Sequence, residues 1–189
     1  FIKIMTTGLL DFNNQGNVTG EPLTKEEVCE MVHIAHEEGM AVMSHTNGAV
    51  GVQNAIEAGA DSVEHGNYMD EKTVRMLADS NTVWVPTLVT VRNLRNCGRY
   101  ENLTLQPIIE LAEENLRLAY KYNVKTALGS DAGAYQVRHG KGFRKSIRHF
   151  RIFWVSQIMS DFGLKKGRNK FRTPLSVLNF NRCINIGLS

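Results

Sequence analysis

Short apolar runs alternate with longer amphipathic stretches along most of the chain. Phe1-Ile2-Lys3-Ile4-Met5 is a strand-like run closed by Thr6-Thr7-Gly8. After a polar loop over 11–20, Thr24-Lys25-Glu26-Glu27 carries a capping-box pattern. A helix follows to about Glu38, with Val28, Met31, Val32 and Ala35 on one face and Gly39 as its stop. Met40 to Met43 is a second apolar run, ending at Ser44-His45. A glycine-punctuated segment leads into a helix over 52–58, and Asp61 to Gly66 is a third strand, ending at His65. Asp70 caps a helix over 71–79, with Val74 and Leu77 inward. Residues 81–88 are aromatic and β-branched, as a strand requires, and 92–104 is a polar loop. A helix over 106–122 and a strand over 125–130 complete the clear elements, and the strand runs into Gly129-Ser130-Asp131.

Strand–helix repeats of this length predict parallel strands with right-handed crossovers. A closed (β/α) barrel uses eight strands and roughly 250 residues. The five strands here therefore fit part of a barrel or a doubly wound sheet. Both architectures build their sites where strands end. His45, His65 and Asp131 all occupy such ends, and together they make a metal or general-base constellation. Lys3 interrupts its strand, which taken alone is what an edge lysine does. His33 and His36 lie three apart on a helix without a partnering Glu, and are expected at the surface.

After residue 142 the texture changes. Residues 1–140 hold 11 Lys/Arg against 18 Asp/Glu, whereas 141–189 hold 11 against Asp161 alone, so a balance of −7 becomes +10. A basic helix over 143–159 carries Ile147, Phe150, Phe153, Trp154 and Ile158 as an apolar stripe, and 160–189 shows no clear element. The expected division is 1–142 and a basic tail over 143–189. Cys29, Cys97 and Cys183 have no metal or redox spacing, which predicts free thiols in a reducing, cytoplasmic setting. No apolar run approaches the roughly 20 residues of a membrane span. The start at Phe1 is expected to lie inside a longer protein. With 42% hydrophobic and 22% charged residues among 189, the composition is that of an ordinary globular protein.

The segments FIKIMTTG, SHTNGAVGVQNAIEAGADSVEHG, VWVPTL and ALGSDAG, in that order, resemble the amidohydrolase superfamily, in its imidazolonepropionase-like and prolidase-like branch. The resemblance implies an α/β fold, a distorted (β/α)8 TIM-like barrel of which this chain supplies about strands four to eight. It also implies one or two divalent metals, usually zinc, at the strand ends. By position, Lys3 matches the lysine carboxylated by CO₂ that bridges the metals, and His45 and His65 match the next two ligands. Asp131 matches the aspartate that binds metal and handles the proton of the attacking water. Tyr68 matches a tyrosine that hydrogen-bonds a substrate carboxylate. The implied reaction is hydrolysis of a carbon–nitrogen bond in small amides, dipeptides or N-acyl amino acids, by an enzyme expected to be a homo-oligomer at full length.

Two departures stand beside this. The strand-one His-X-His pair of the family does not occur, as expected if strands one to three precede Phe1. Residues 143–189 lack the family's alanine-rich C-terminal helix, and the charge swing is what a shifted reading frame or altered splicing produces. Two other classes are compatible with parts of the sequence. One is a non-catalytic binding protein whose basic tail contacts nucleic acid. The other is a doubly wound hydrolase or nucleotide binder, which lacks here both a G-X-S-X-G elbow and a glycine-rich phosphate loop.

Overall fold

The structure is a computed structural model and describes residues 1–148 apart from 15 and 143. Four strands, β1 (Ile2–Met5), β2 (Val42–Thr46), β3 (Ser62–His65) and β4 (Val83–Val85), form one sheet in the order β1-β2-β3-β4, with every pair parallel. The connections are α1 (Lys25–Glu37), α2 (Ala49–Glu57) and α3 (Glu71–Ala78); α4 (Val89–Arg92) and α5 (Asn102–Lys121) follow β4. This is the parallel α/β arrangement that the strand–helix alternation predicts.

The two ends predicted by side-chain capping are built as expected. Thr24 and Glu27 close a reciprocal capping box at the start of α1, and Asp70 accepts from the Thr73 amide at the start of α3. Val42, Val63 and Trp84 face the helices and pack with Val28, Val32, Val52, Ala55, Val74, Leu77, Leu116 and Ala119. Each valine and leucine among them contributes roughly 1.5–3 kcal/mol through its burial.

Four boundaries differ from expectation. Helix α2 begins at Ala49 rather than 52, because Gly51 lies inside it. A Cβ on Gly51 would stand 2.6 Å from Thr7 Cγ2 and 3.2 Å from Thr46 Cγ2, so this glycine marks close packing and not a loop. The strand over 81–88 contracts to Val83–Val85: Pro86 has no N–H to donate, and Thr87 turns left-handed at φ 40°. With so short a partner, the strand over 125–130 reduces to one parallel bridge, Trp84 to Thr126, made by the Trp84 and Ala127 amides. Helix α5 starts at Asn102 rather than 106, with Pro107 inside it, and the extra turn buries Leu105. The short α4 occupies what the sequence presents as the end of a strand and the start of a loop. Of the basic helix expected over 143–159, residues 144–148 are described and are helical; the remainder, with 160–189, lies outside the described residues.

Register decides which side chains share a face. Paired residues of parallel strands point the same way, and alternate residues point oppositely. Lys3 pairs with Met43, Met5 with His45, His45 with Glu64, and Glu64 with Val85. Lys3, His45, Ser62 and Glu64 therefore share the face away from the helices. On the helix side, the hydroxyls of Thr6, Ser44 and Thr46 bond one another beneath α2 at 2.5–3.2 Å, so these buried polar groups are satisfied.

Candidate active site

His45 is the penultimate residue of β2, in a buried position. Its Nε2 lies 3.2 Å from the Gly8 carbonyl, which fixes that nitrogen as the donor and leaves Nδ1 with a lone pair. The glycine carbonyl comes from the turn after β1, so neighbouring strand ends hold the ring between them. Asn47 continues the same stitching: its amide N–H donates to Thr7 Oγ1 at 2.8 Å, and its Oδ1 accepts from Asn67 Nδ2 at 2.9 Å.

His65 ends β3. The register puts it beside Thr46, on the helix side. Its ring nevertheless meets that of His45, with centroids 4.6 Å apart and planes at 66°. The backbone explains this: φ of 68° takes His65 out of the extended region as the strand ends. The conformation is secured from both sides. Trp84 Nε1 donates to the His65 carbonyl at 2.9 Å, and Nδ1 of His65 is 2.6 Å from Thr87 Oγ1. With Nδ1 so engaged, Nε2 is the free nitrogen. Tyr68, Thr87 and Asp131 also have positive φ, so non-glycine strain gathers at these strand ends, as it does at functional sites.

Both imidazoles are neutral at physiological pH. Burial lowers the His45 pKa, with the Lys3 charge acting in the same direction against the Gly8 carbonyl and Asp131. Burial, then His45 and Lys3, push His65 down to about 3. These electrostatic effects place Lys3 near both rings and Asp131 near His45. Asp131 opens a tight turn, its carbonyl accepting from the Ala134 amide at 3.1 Å.

Glu64 was not singled out from the sequence, although the two-residue alternation puts it on the His45 face. It is buried, and burial raises its pKa against the Ser62 hydroxyl, which donates to it at 2.7 Å, and the Lys3 charge. Thr87, the other missed residue, carried no sequence signal beyond ending a strand. Tyr68 stands apart from the imidazoles. Its ring packs against the buried cluster of Val91, Leu94, Leu105, Ile108 and Ile109. Its hydroxyl is enclosed and makes no hydrogen bond, although the Gly16 amide lies near enough to act on it electrostatically. His33 and His36 lie on α1 among exposed side chains, as expected, each beside a carboxylate, Glu37 and Asp61.

Among the described residues, no three His, Cys, Asp or Glu side chains are grouped closely enough to hold a metal ion. What the site offers is a pair: two neutral imidazoles in contact, each with one nitrogen free, and a lysine and an aspartate within electrostatic reach. That donor chemistry fits a borderline divalent ion such as zinc. Among the described residues no helix is long and apolar enough to cross a membrane.

The chain was compared with known proteins. It is 26% identical over 127 residues to an uncharacterized protein of Mycobacterium tuberculosis, which covers 64% of this chain and 34% of that protein. It is 28% identical over 136 residues to the ochratoxinase of Aspergillus niger, covering 69% and 28%. Among solved structures, a Xaa-Pro dipeptidase with methionine bound in its active site superposes with a TM-score of 0.63 at 30% identity, over 82% of this chain and 38% of that one. The A. niger ochratoxinase structure gives 0.59 at 26% identity, over 69% and 31%. The chain thus spans about a third of the length of these relatives. The family model for amidohydrolases runs from residue 1 to 168, across the whole described region, and the chain belongs to the amidohydrolase family.

Proposed function

We propose that this chain is part of a metal-dependent hydrolase that cuts carbon–nitrogen bonds in dipeptides or N-acyl amino acids, and that its strands are about the fourth to the eighth of a TIM-like barrel. The observation that carries the proposal is the contact between two neutral imidazoles, His45 buried and His65 half-buried, at the ends of adjacent parallel strands. A pair of neutral histidines is what a zinc ion asks of its nitrogen donors.

His45 and His65 would hold the ion through their free nitrogens, with Lys3 as a carbamate and Asp131 as carboxylate. When bound, a divalent ion supplies Lewis acidity and a water of lowered pKa. The remaining work falls to this chain's own groups. Thr87 and the Gly8 carbonyl orient the two imidazoles and select their tautomers. Asp131 accepts the proton of the attacking water and delivers it to the leaving amine nitrogen. The Tyr68 hydroxyl is enclosed here, so its hydrogen bond to a substrate carboxylate requires the loop bearing Asp11 and Gly16 to shift. The substrate is a small amide. A homo-oligomeric, cytoplasmic parent remains part of this proposal, whereas the alternative of a non-catalytic nucleic-acid-binding protein draws support from neither the fold nor the relatives.

The test is hydrolysis by the full-length gene product, loaded with zinc, of a panel of Xaa-Pro and Xaa-Arg dipeptides and N-acyl amino acids. Asp131→Asn is expected to reduce kcat about 10²–10⁴-fold with the metal retained, as loss of a general acid–base does. A folded protein that binds no divalent ion and hydrolyses nothing in the panel would overturn the proposal.

A further inference from the structure

Asn47 lies between the supports of the two imidazoles. It follows β2 and is only 3% exposed. On one side, its Nδ2 donates to the Gly8 carbonyl at 3.3 Å, the same oxygen that Nε2 of His45 meets at 3.2 Å. The two nitrogens are 3.4 Å apart, both turned to that oxygen. On the other side, Oδ1 accepts from the Asn67 backbone amide at 3.3 Å and from Asn67 Nδ2 at 2.9 Å. Two backbone bonds close the mesh. The Gly48 amide donates to the Asn67 carbonyl at 2.7 Å, and the Gly66 amide to the Thr46 carbonyl at 3.0 Å.

The partners settle which way the carboxamide points. A backbone N–H only donates and a carbonyl only accepts. The Asn67 amide therefore faces Oδ1, and the Gly8 carbonyl faces Nδ2. Aspartate here would set a second acceptor against the Gly8 oxygen. Leucine would leave both sides unpaired in a place closed to water, at a cost in stability. The same accounting separates Asn47 from a substrate contact. Both lone pairs of Oδ1 are engaged, and Nδ2 is committed to Gly8.

What this one group joins is specific. Gly8 belongs to the turn that fixes the His45 tautomer. Asn67 stands two residues beyond His65, whose left-handed backbone carries its ring across the sheet. Two residues of extended chain span at most roughly 7 Å, so holding Asn67 holds the exit of the chain from His65.

We infer that Asn47 is a positioning residue that sets the separation of the two imidazoles, by tying the turn that orients His45 to the segment that leaves His65. This deepens the hydrolase reading and rests on it for the metal that the pair would hold. Donor groups have to be kept within about 0.5 Å of their working geometry by the shell around them. Thr87 and the Gly8 carbonyl each serve one ring, whereas Asn47 relates one ring to the other.

The test uses the metal-free 189-residue chain with isotope-labelled histidine. Nuclear magnetic resonance reads two signals: an Overhauser contact between the ring protons of His45 and His65, and the His45 tautomer from its ring-nitrogen shifts. Wild type is expected to show the contact and the Nε2–H tautomer. Asn47→Ala, folded by circular dichroism, is expected to lose the contact and to show a mixture of tautomers. Asn67→Ala frees the His65 side alone, and is expected to lose the contact and keep the tautomer. If Asn47→Ala does not fold, Asn67→Ala decides in its place. A wild-type chain without the contact, or a folded variant that keeps it, would overturn the inference. A role confined to stability lowers Tm and leaves both signals in place. In the full-length gene product, Asn47→Ala is expected to weaken zinc binding about 10–100-fold, read by competition with a chelator. A wild-type protein that binds no zinc would count against the hydrolase reading, and the coupling of the rings would still be judged by their two signals.

Discussion

The imidazoles of His45 and His65 meet edge to face at 4.6 Å, although the register of their strands would send them to opposite sides of the sheet. The strand end at His65, with φ of 68°, brings the second ring across. One left-handed residue thereby converts two separate strand ends into one donor pair. The conformation costs of order 1–3 kcal/mol, offset by the bonds from Trp84 and Thr87.

Thr87→Val keeps the shape of the threonine and removes the hydrogen bond that the His65 ring makes to it, the one it has among the described residues. Loss of such a supporting contact is expected to weaken zinc binding about 10–100-fold, measured by competition with a chromophoric chelator. Equal affinity in wild type and variant would mean that Thr87 does not orient the ring.

Stability of the metal-free chain is expected to depend on pH through the same pair. Burial holds His65 down at about 3 and His45 below its ordinary value. The folded state then binds fewer protons than the unfolded state, whose histidines titrate near about 6.5. For His65 the contribution is complete above about pH 6.5 and is lost as the pH falls from there toward about 3, with a slope approaching about 1.4 kcal/mol per pH unit, and His45 acts in the same direction. Urea midpoints at a series of pH values read this slope, and His65→Gln is expected to reduce it by about one proton. A midpoint that does not move between neutral and mildly acid pH would exclude it.

Gly51→Ala is expected to destabilise the chain, although alanine is the better helix former. The new methyl would stand 2.6 Å from Thr7 Cγ2, between α2 and the turn that holds His45. Overpacking of this kind costs about 1–3 kcal/mol, which a thermal melt detects. A rise in Tm would show that α2 has room to move outward.

Asn115 in α5 donates through Nδ2 to the Met69 carbonyl at 3.0 Å, in a buried position. This ties the loop of Tyr68 to the longest helix. Asn115→Ala leaves that carbonyl unpaired, and is expected to cost about 1–3 kcal/mol and to speed amide hydrogen exchange around 66–70. Exchange unchanged in that loop would count against the tie.

The alternation of strands and helices was legible because periods of two and 3.6 leave different apolar patterns. Thr24 and Asp70 announced their helix starts through side-chain caps. Gly48, which caps α2 without a side chain, announced nothing, and Gly51 read as a break where it is a packing contact. The first turn of α5 lay in what read as a polar loop, and burial of Leu105 overrides that local polarity. At the candidate site, the strand-end positions of His45, His65 and Asp131 were legible because strand ends are. The Glu64 carboxyl was readable in principle from alternation. The Thr87 contact was not, since it depends on a left-handed turn at a threonine that no local pattern demands.

Trp84 is buried, and its indole N–H ends on the carbonyl of His65. The protein therefore carries a fluorophore wired to its own donor pair. In a Trp154→Phe background, the emission of this single indole serves as an optical readout of whether the imidazoles are free, protonated or engaged, with no label and no substrate needed.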